Sequence, residues 1–372
     1  MGNIQALRAN GVHAATRRLT HHLQNDGHVV EVWHFTRAVT APAERLDEGI
    51  NVLDLPVHAV RGVTGAYLQI PTREARSILA ERALDMDVVH LHSVFQPDHL
   101  WAARLGRPYV VTPHGGYDAA TMRGAAGLVK QALVAAHERR LLRSARAVQV
   151  LSGEERRRVS QLAPGSRLIQ LAFPLDLGEH VTDDYAGDGP ILFVGRLDVR
   201  TKGLDLLLDA VASDAGLLGG RQVLLIGPSV GDSESWLRQR AGALGIADRV
   251  CVRRPIQNRK ELVQTMSACS VFVHTSRREG LPTAVLEAMH CSVPVLVTEE
   301  TNTGTLVRTM AAGMVVSADA ASIADGLRNL LALSAADRDA MGKRGKKAVL
   351  DSFTWDRLRD RYEAMYRGAA QG

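Results

Sequence analysis

Short β-branched runs alternate with longer stretches of helical periodicity along almost the whole chain. That alternation constrains the fold more than any other feature, because it predicts parallel sheets assembled from βαβ units in an α/β protein. In the first half, residues 29–33, 88–92, 109–112 and 147–150 read as strands, and helical stretches lie at about 12–25, 73–85, 98–105, 123–145 and 153–162. A polar, Gly-bearing segment closed by proline, 183–190, reads as a linker. Beyond it a second series places strands at 191–194, 222–226, 250–253, 270–274 and 294–298, then helices at 323–333 and around 336–350. A last amphipathic stretch spans 354–367. With 372 residues, two or three domains are expected.

Composition narrows the function classes. A hydrophobic share of 46% and a charged share of 23% are ordinary for a soluble globular protein. Cys251, Cys269 and Cys291 form no C-x-x-C pair. That spacing argues against a disulfide framework or a zinc site and fits a reducing cytosol. No signal peptide is read, and no apolar run approaches the roughly 20 residues that span a bilayer. A net charge of +5 with only 4% aromatic residues offers no stacking platform for bases, so no nucleic-acid partner is expected.

The densest chemistry lies in Glu279-Gly280-Leu281-Pro282-Thr283-Ala284-Val285-Leu286-Glu287, two carboxylates eight apart around a loop that turns into a helix. The apolar run 271–273 just before it, continued by His274, Thr275 and Ser276, reads as a buried parallel strand. Pro282 suits the first helical position, where its missing amide hydrogen would be an orphan anyway. The amides of Thr283 and Ala284 then point out of a helix N-terminus, a ready site for an anion such as phosphate. The flanking carboxylates do not favour the phosphate itself; sugar hydroxyls suit them, since one carboxylate accepts from two. Some eighty residues upstream, the strand 191–194 leads into Gly195-Arg196-Leu197-Asp198, and Lys202-Gly203 opens the next helix. Arg196 forks onto phosphate oxygens and Lys202 acts as a point charge. Together the two frames describe a site for a sugar joined to a diphosphate.

These stretches carry a resemblance. GRLDVRTKGLDLLLDAV (195–211) and EGLPTAVLEAM (279–289), with VVHLHS (88–93), TPHGGYD (112–118) and FTWDRLRDRYEAMYR (353–367), resemble the retaining glycosyltransferases of family 4. The 279–289 stretch matches that family's E-x7-E motif, and the likeness runs over essentially the whole chain. It implies the GT-B fold, two Rossmann-like domains whose parallel sheets face a central cleft. The acceptor-side domain would be 1–185, the nucleotide-sugar domain 186–352, and 353–372 a helix crossing back to the first. It further implies transfer of a sugar from a nucleoside diphosphate-sugar to a hydroxyl acceptor with retention, without a metal or other cofactor, in polysaccharide, glycolipid or related glycoconjugate biosynthesis. Catalytic roles fall to Glu279, His114, Arg196 and Lys202. The donor site takes Arg196 and Lys202 on the diphosphate, Glu287 on the ribose and Glu279 on the sugar. Gly280, Leu281, Pro282, Thr283 and Gly11 complete it. His114 and Asp118 lie on the acceptor side. A lipid-linked acceptor and peripheral contact with an anionic membrane, on the cytoplasmic face, belong to the same expectation.

The chain departs from the family in places. An apolar strand, central in the sheet, normally precedes the Gly-rich loop; here ten residues precede Gly11, and Asn3-Ile4-Gln5-Ala6-Leu7 makes a poor buried strand. Lacking that strand, two sheet edges would be exposed. Asn10-Gly11 stands where the family has a glycine pair, and Ala172-Phe173-Pro174-Leu175-Asp176 where it has a Pro-Asn-Gly-Val-Asp hinge.

Each candidate has a plainer reading. Glu279 and Glu287 fit an ordinary loop and helix surface, Arg196 and Lys202 a solvated helix N-terminus, and His114 a loop carbonyl partner. Asp85-Met86-Asp87 precedes a strand and reads as helix-end polarity. His90 and His92 share one strand face and read as buried histidines rather than metal ligands. Arg123, Lys130, Arg139, Arg140, Arg143 and Arg146 suit an anionic membrane surface or a solvated helix face equally. Arg253, Arg254, Arg277 and Arg278 read as basic surface or as tuners of donor preference. Two rival functions stand beside the transferase: a nucleotide-sugar 2-epimerase of the same fold, and a non-catalytic sugar-nucleotide-binding protein.

Overall fold

The structure is a computed structural model that describes residues 11–61, 67–117, 132, 137–175 and 187–371. It divides into two compact units, Met1–Pro174 with Leu358–Gly372, and Leu175–Arg357.

The first unit runs α1 (Gly11–Asn25), β1 (Glu31–Thr36), β2 (Ala43–Asp47), β3 (Ile50–Arg61), β4 (Tyr67–Pro71), α2 (Arg73–Arg82), β5 (Val89–His92) and α3 (Pro97–Ala102). It continues through β6 (Tyr109–Thr112), α4 (Arg139–Ser144), β7 (Ala147–Val150), α5 (Gly153–Leu162) and β8 (Leu168–Gln170). Strands β5-β6-β7-β8 form a parallel sheet in that order. Its central strands β6 and β7 are buried throughout, which is why they read as continuous apolar runs. In a second sheet β3 pairs in parallel with β1 and antiparallel with β2 and β4.

In this unit strands β2, β3, β4 and β8 escape the sequence reading. The cause is visible in β3, whose apolar run is broken by Asp54 and Pro56. Asp54 is buried, but it hydrogen-bonds His34 of β1 at 2.7 Å and the Arg45 guanidinium of β2 at 2.8 Å, so its carboxylate is satisfied from two neighbouring strands. The basic stretch is described only in part, Arg123 and Lys130 lying outside the described residues. Within α4, Arg139 donates to the carbonyl of Leu162 (2.9 Å), and Arg143 to that of Pro164 (3.2 Å). Both thus satisfy carbonyls at the C-terminal end of α5.

The second unit runs β9 (Ile191–Val194), α6 (Leu204–Ala212), β10 (Val223–Ile226), α7 (Ser233–Ala243), β11 (Val250–Arg253), α8 (Arg259–Ser267) and β12 (Val271–His274). It continues through α9 (Thr283–His290), β13 (Val295–Thr298), α10 (Gly304–Thr309), β14 (Gly313–Val316), α11 (Ala320–Ala332) and α12 (Ala335–Ser352). All six strands are parallel, in the order β11-β10-β9-β12-β13-β14. The order reverses between β9 and β12, so the crevice beyond their carboxyl ends is the natural ligand position in an open sheet of this kind. Leucine, isoleucine and valine from β9, α6, β10 and α11 fill one continuous core, including Ile191, Leu207, Leu225 and Leu327.

Helix α12 carries two buried glycines, Gly342 and Gly345. At Gly342 an added Cβ would lie 1.8 Å from the Ser292 carbonyl oxygen, just past the end of α9. Buried Arg338 on the same helix donates to the carbonyls of Leu331, Leu333 and Gly187 (3.2, 2.5 and 3.1 Å), closing the end of α11. Helix α13 (Trp355–Gln371) supplies the first unit with its closing residues. There the Tyr362 hydroxyl accepts from Gln149 (2.8 Å) and donates to the carbonyl of Ala172 (2.9 Å). Because backbone leaves no room at Gly342, Gly342→Ala should cost roughly 1–3 kcal/mol and lower Tm by several degrees. Gly368→Ala, on α13 with open space around it, should leave Tm unchanged or slightly raised. Differential scanning calorimetry of the two variants checks both.

Candidate active site

Two loops of the second unit bring the candidate residues together, because β9 and β12 lie side by side and both chains leave from the same sheet edge. The first loop is shaped by its own backbone. The Thr201 amide donates to the Asp198 carboxylate at 3.1 Å, the Lys202 amide to the Asp198 carbonyl at 2.8 Å. Gly203 then takes φ +61°, where a Cβ would lie 2.0 Å from the Thr275 carbonyl oxygen. Only glycine permits that approach. The second loop answers it: the Thr275 hydroxyl reaches the carbonyls of Lys202 (3.0 Å) and Gly203 (3.1 Å). The Arg277 amide donates to the Thr201 carbonyl at 3.0 Å, and its guanidinium grips Asp205 bidentately at 2.7 and 2.8 Å. Arg277 therefore staples the two loops. A third loop abuts them, since Gly227, after β10, leaves no room for a Cβ against the Gly195 carbonyl.

Within this frame Glu279 is the centre. Its Oε1 receives the Lys202 ammonium, the His274 Nε2 at 2.9 Å and the Ser276 hydroxyl at 3.0 Å. Its backbone is fixed as well, the amide donating to the Glu300 carbonyl (3.1 Å) and the carbonyl accepting from Asn302. Burial alone would raise this carboxyl, but the His274 hydrogen bond and the Lys202 charge outweigh it and hold it down at about 2. Oε2 has no protein partner among the described residues, and the side chain keeps 14% of its surface exposed. One oxygen is saturated and the other is free to accept.

Glu287, on α9, is likewise engaged: its Oε1 accepts from Arg259 at 3.0 Å. Arg259 opens α8, whose first turn is fixed by the Asn258 cap on the Glu261 amide (3.1 Å). Arg196 is exposed and makes no side-chain bond among the described residues. Pro282 occupies the cap position with an extended ψ of 108°, so α9 begins at Thr283, one residue later than the sequence pattern predicts. Among the described residues no side chain caps that end. The first-turn amides of Thr283 and Ala284 therefore lack an intrahelical acceptor. Gly280 and Leu281 complete the turn between Glu279 and this helix.

In the first unit, His114 sits past the end of β6 with φ +54°, and Ser93, Phe95 and Gly115 nearby also have positive φ. Strained backbone of this kind gathers at functional sites. The loop is pinned from below by buried Glu155, which accepts from the amides of Gly115 (2.5 Å) and Leu151 (2.6 Å). His114 Nε2 lies 3.1 Å from His92 Nδ1, and its ring stacks on Phe173 at 5.1 Å. His90 bonds the Tyr366 hydroxyl (2.8 Å) and that of Thr112 (2.7 Å). Burial pushes His90 and His114 both down to about 3, and His92 well below its ordinary value, so all three are neutral imidazoles near pH 7. Gly11 heads α1, exposed, and Asp118 lies outside the described residues.

The sequence reading misses three of these groups, His274, Ser276 and Arg259. His274 passes as the last residue of an apolar strand, and Arg259 stands 28 residues before its partner, a separation no motif spacing encodes. Among the described residues no helix is long and apolar enough to cross a membrane.

Two α/β units, each with a parallel sheet, and the reversed strand order of the second define a GT-B protein. A family model for group 1 glycosyl transferases matches residues 183–348, and one for the glycosyl transferase 4-like domain matches residues 10–171. The D-inositol 3-phosphate glycosyltransferase 1 of Catenulispora acidiphila is 28% identical over 374 residues, covering 92% of this chain and 87% of that one. The D-inositol 3-phosphate glycosyltransferase of Mycobacterium bovis is 26% identical over 399 residues, covering 97% and 79%. Sucrose-phosphate synthase from Thermosynechococcus elongatus superposes with a TM-score of 0.75 at 20% identity, over 96% of this chain and 93% of that one. Anabaena HepE, solved with UDP and glucose, gives 0.73 at 16% identity over 95% of each. The chain belongs to the group 1, family 4-like glycosyltransferases, retaining enzymes that transfer a sugar from a nucleotide-sugar.

The Glu279 carboxyl carries a pH signature. Its folded-state value of about 2 lies below the ordinary 4.5, so its contribution to stability is fully present above about pH 4.5 and is lost as pH falls toward 2. The stability difference between the wild type and Glu279→Gln should shrink over that acid window. Urea denaturation at a series of pH values reads it; a difference that stays flat would mean the carboxyl is not depressed.

Proposed function

We propose that the second unit holds the nucleoside diphosphate-sugar and that Glu279 Oε2 accepts a hydroxyl of the sugar to be transferred. The observation that carries this is the split between the two oxygens of Glu279, one saturated by Lys202, His274 and Ser276 and the other unpartnered. Lys202 spends one of its three N–H donors on Glu279 and keeps two for the diphosphate. Exposed Arg196 adds a planar fork, and the amides of Thr283 and Ala284 a helix N-terminus, so charge developing on the leaving diphosphate meets fixed donors. Glu287, oriented by Arg259, takes the ribose hydroxyls. Gly280, Leu281 and Pro282 shape the turn beside the sugar.

The acceptor side is assigned to the first unit, with His114 a neutral imidazole toward the transferred sugar, Gly11 at the donor phosphate and Asp118 toward the acceptor. No carboxylate of that unit is assigned as a nucleophile. The acceptor oxygen therefore attacks the anomeric carbon from the face the diphosphate leaves. The carbon–oxygen bond to phosphate breaks as the new one forms, and the acceptor proton passes to the departing phosphate oxygen. Exposed Arg140 and Arg146 are the part of the basic stretch assigned to an anionic membrane surface.

The first test is a thermal-shift and hydrolysis screen against UDP-, GDP- and ADP-sugars, with Glu287→Ala as control. One donor should stabilise the wild type and slowly release its nucleoside diphosphate, and the control should lose both. Inositol 3-phosphate, the acceptor in the relatives' names, heads the acceptor panel. Interconversion of donor sugars without acceptor would instead identify an epimerase, stabilisation without turnover a non-catalytic sugar-nucleotide-binding protein, and no response to any donor would overturn the proposal. Lys202→Ala should lower turnover about 100-fold or more while the protein still folds. Unchanged turnover would remove Lys202 from its assigned role.

A further inference from the structure

We propose that His274 is a positioning residue for sugar transfer, holding one oxygen of Glu279 so that the other is presented to the donor. The proposal rests on the assignment of Glu279 to the sugar made above. His274 ends β12 and is 1% exposed. Its ring lies nearly parallel to Phe193, with centroids 5.4 Å apart and planes 18° apart, and to Phe272 at 6.3 Å and 10°. Packing thus fixes the ring plane, and Nε2 falls 2.9 Å from Glu279 Oε1.

The protonation pattern follows from the partner. An ionised carboxylate only accepts, so Nε2 must carry the hydrogen. In the neutral ring Nδ1 is then a bare acceptor, and it is buried with no hydrogen-bond partner among the described residues. An orphaned buried acceptor is costly. Leucine or phenylalanine would fill the same aromatic slot without one. Packing therefore does not explain a histidine here, whereas the Nε2 hydrogen bond does.

Geometry supplies the purpose. Three donors meet Oε1 from three directions: His274 from the strand end, Ser276 from the loop that follows it, and Lys202 from the neighbouring loop. With His274 removed, the carboxylate is free to pivot and give Lys202 both oxygens. Oε2 would then be lost to the sugar.

The test is a comparison of His274→Leu, His274→Asn and His274→Gln in steady-state kinetics, using whichever nucleotide-sugar turns over in the donor screen. Glutamine places its amide nitrogen where Nε2 sits; asparagine stops one bond short. The Leu and Asn variants should raise the donor KM about tenfold or more. Inhibition by the matching nucleoside diphosphate, which lacks the sugar, should change less than about threefold, and Gln should return the KM to near the wild-type value. A packing role predicts the reverse ranking, Leu best and Gln worst, and would overturn the proposal. Glu279→Gln runs alongside. If it too leaves donor kinetics untouched, the assignment of Glu279 has failed; if it alone is impaired, only the role of His274 has failed. A second readout needs no donor. In protein labelled with 15N-histidine, the resonances lost in His274→Leu should report hydrogen on Nε2 and a bare Nδ1 near pH 7. Hydrogen on Nδ1 would overturn the geometry directly.

Discussion

Everything in the second unit converges on one buried charge. Moving a carboxylate out of water costs several kcal/mol unless donors replace the lost hydration. Glu279 receives that replacement on a single oxygen, from an ammonium, an imidazole and a hydroxyl. The result is a carboxylate held ionised in spite of its burial, with its remaining lone pairs unspent. Had the three donors been divided between both oxygens, the group would be just as well satisfied and chemically idle. The asymmetry, rather than the ion pair as such, makes this carboxylate useful.

Holding that arrangement requires the loops after β9 and β12 to keep their relative position to a fraction of an ångström, and the backbone does this largely without side chains of the site. Gly203 lets one loop touch the other at the Thr275 carbonyl, Thr275 returns two hydrogen bonds, and Arg277 with Asp205 closes the outside. Arg277 illustrates how misleading a cation count is. From sequence it belongs to a cluster that reads as basic surface or as a tuner of donor preference; in the fold it is a bidentate staple, with its charge matched by Asp205. The parallel sheet does the rest, since the strand order reverses between β9 and β12 and opens a crevice between their helices.

What was legible in the sequence is what periodicity and short spacing encode. The strand–loop–helix frames around Arg196, Lys202, Glu279 and Glu287 appear because each is local, and the buried strands appear because parallel sheets demand continuous apolar runs. The misses share a physical cause. Strand β3 hides because Asp54 and Pro56 interrupt it, and its polarity is affordable only through His34 and Arg45 on other strands. Arg259 hides because its partner is distant in sequence, and His274 because a strand-end histidine looks like any other buried residue until the carboxylate above it is in place. Pairings across the fold leave no periodic trace.

The first unit raises a different question, how two sheets stay together when no strand pairing joins them. Among the described residues β1 pairs only with β3 and β5 only with β6, so no ladder links the two sheets. Side chains provide the connection. Trp33 on β1 and Leu105 before β6 each pack against both apolar clusters, the one under β5, β6 and β7 and the one formed by Leu53, Leu55, Ala75 and Leu79. A large aromatic buries enough surface to join two cores, whereas it gives an open strand edge nothing to pair with. The unit's cohesion at this seam is therefore hydrophobic and non-directional, while the register of the strands carrying His90, His92 and the His114 loop is set within their own four-stranded sheet. That separation matters for the site: the histidine cluster is fixed by β5, β6, Gln149 and α13, and none of these depends on the seam.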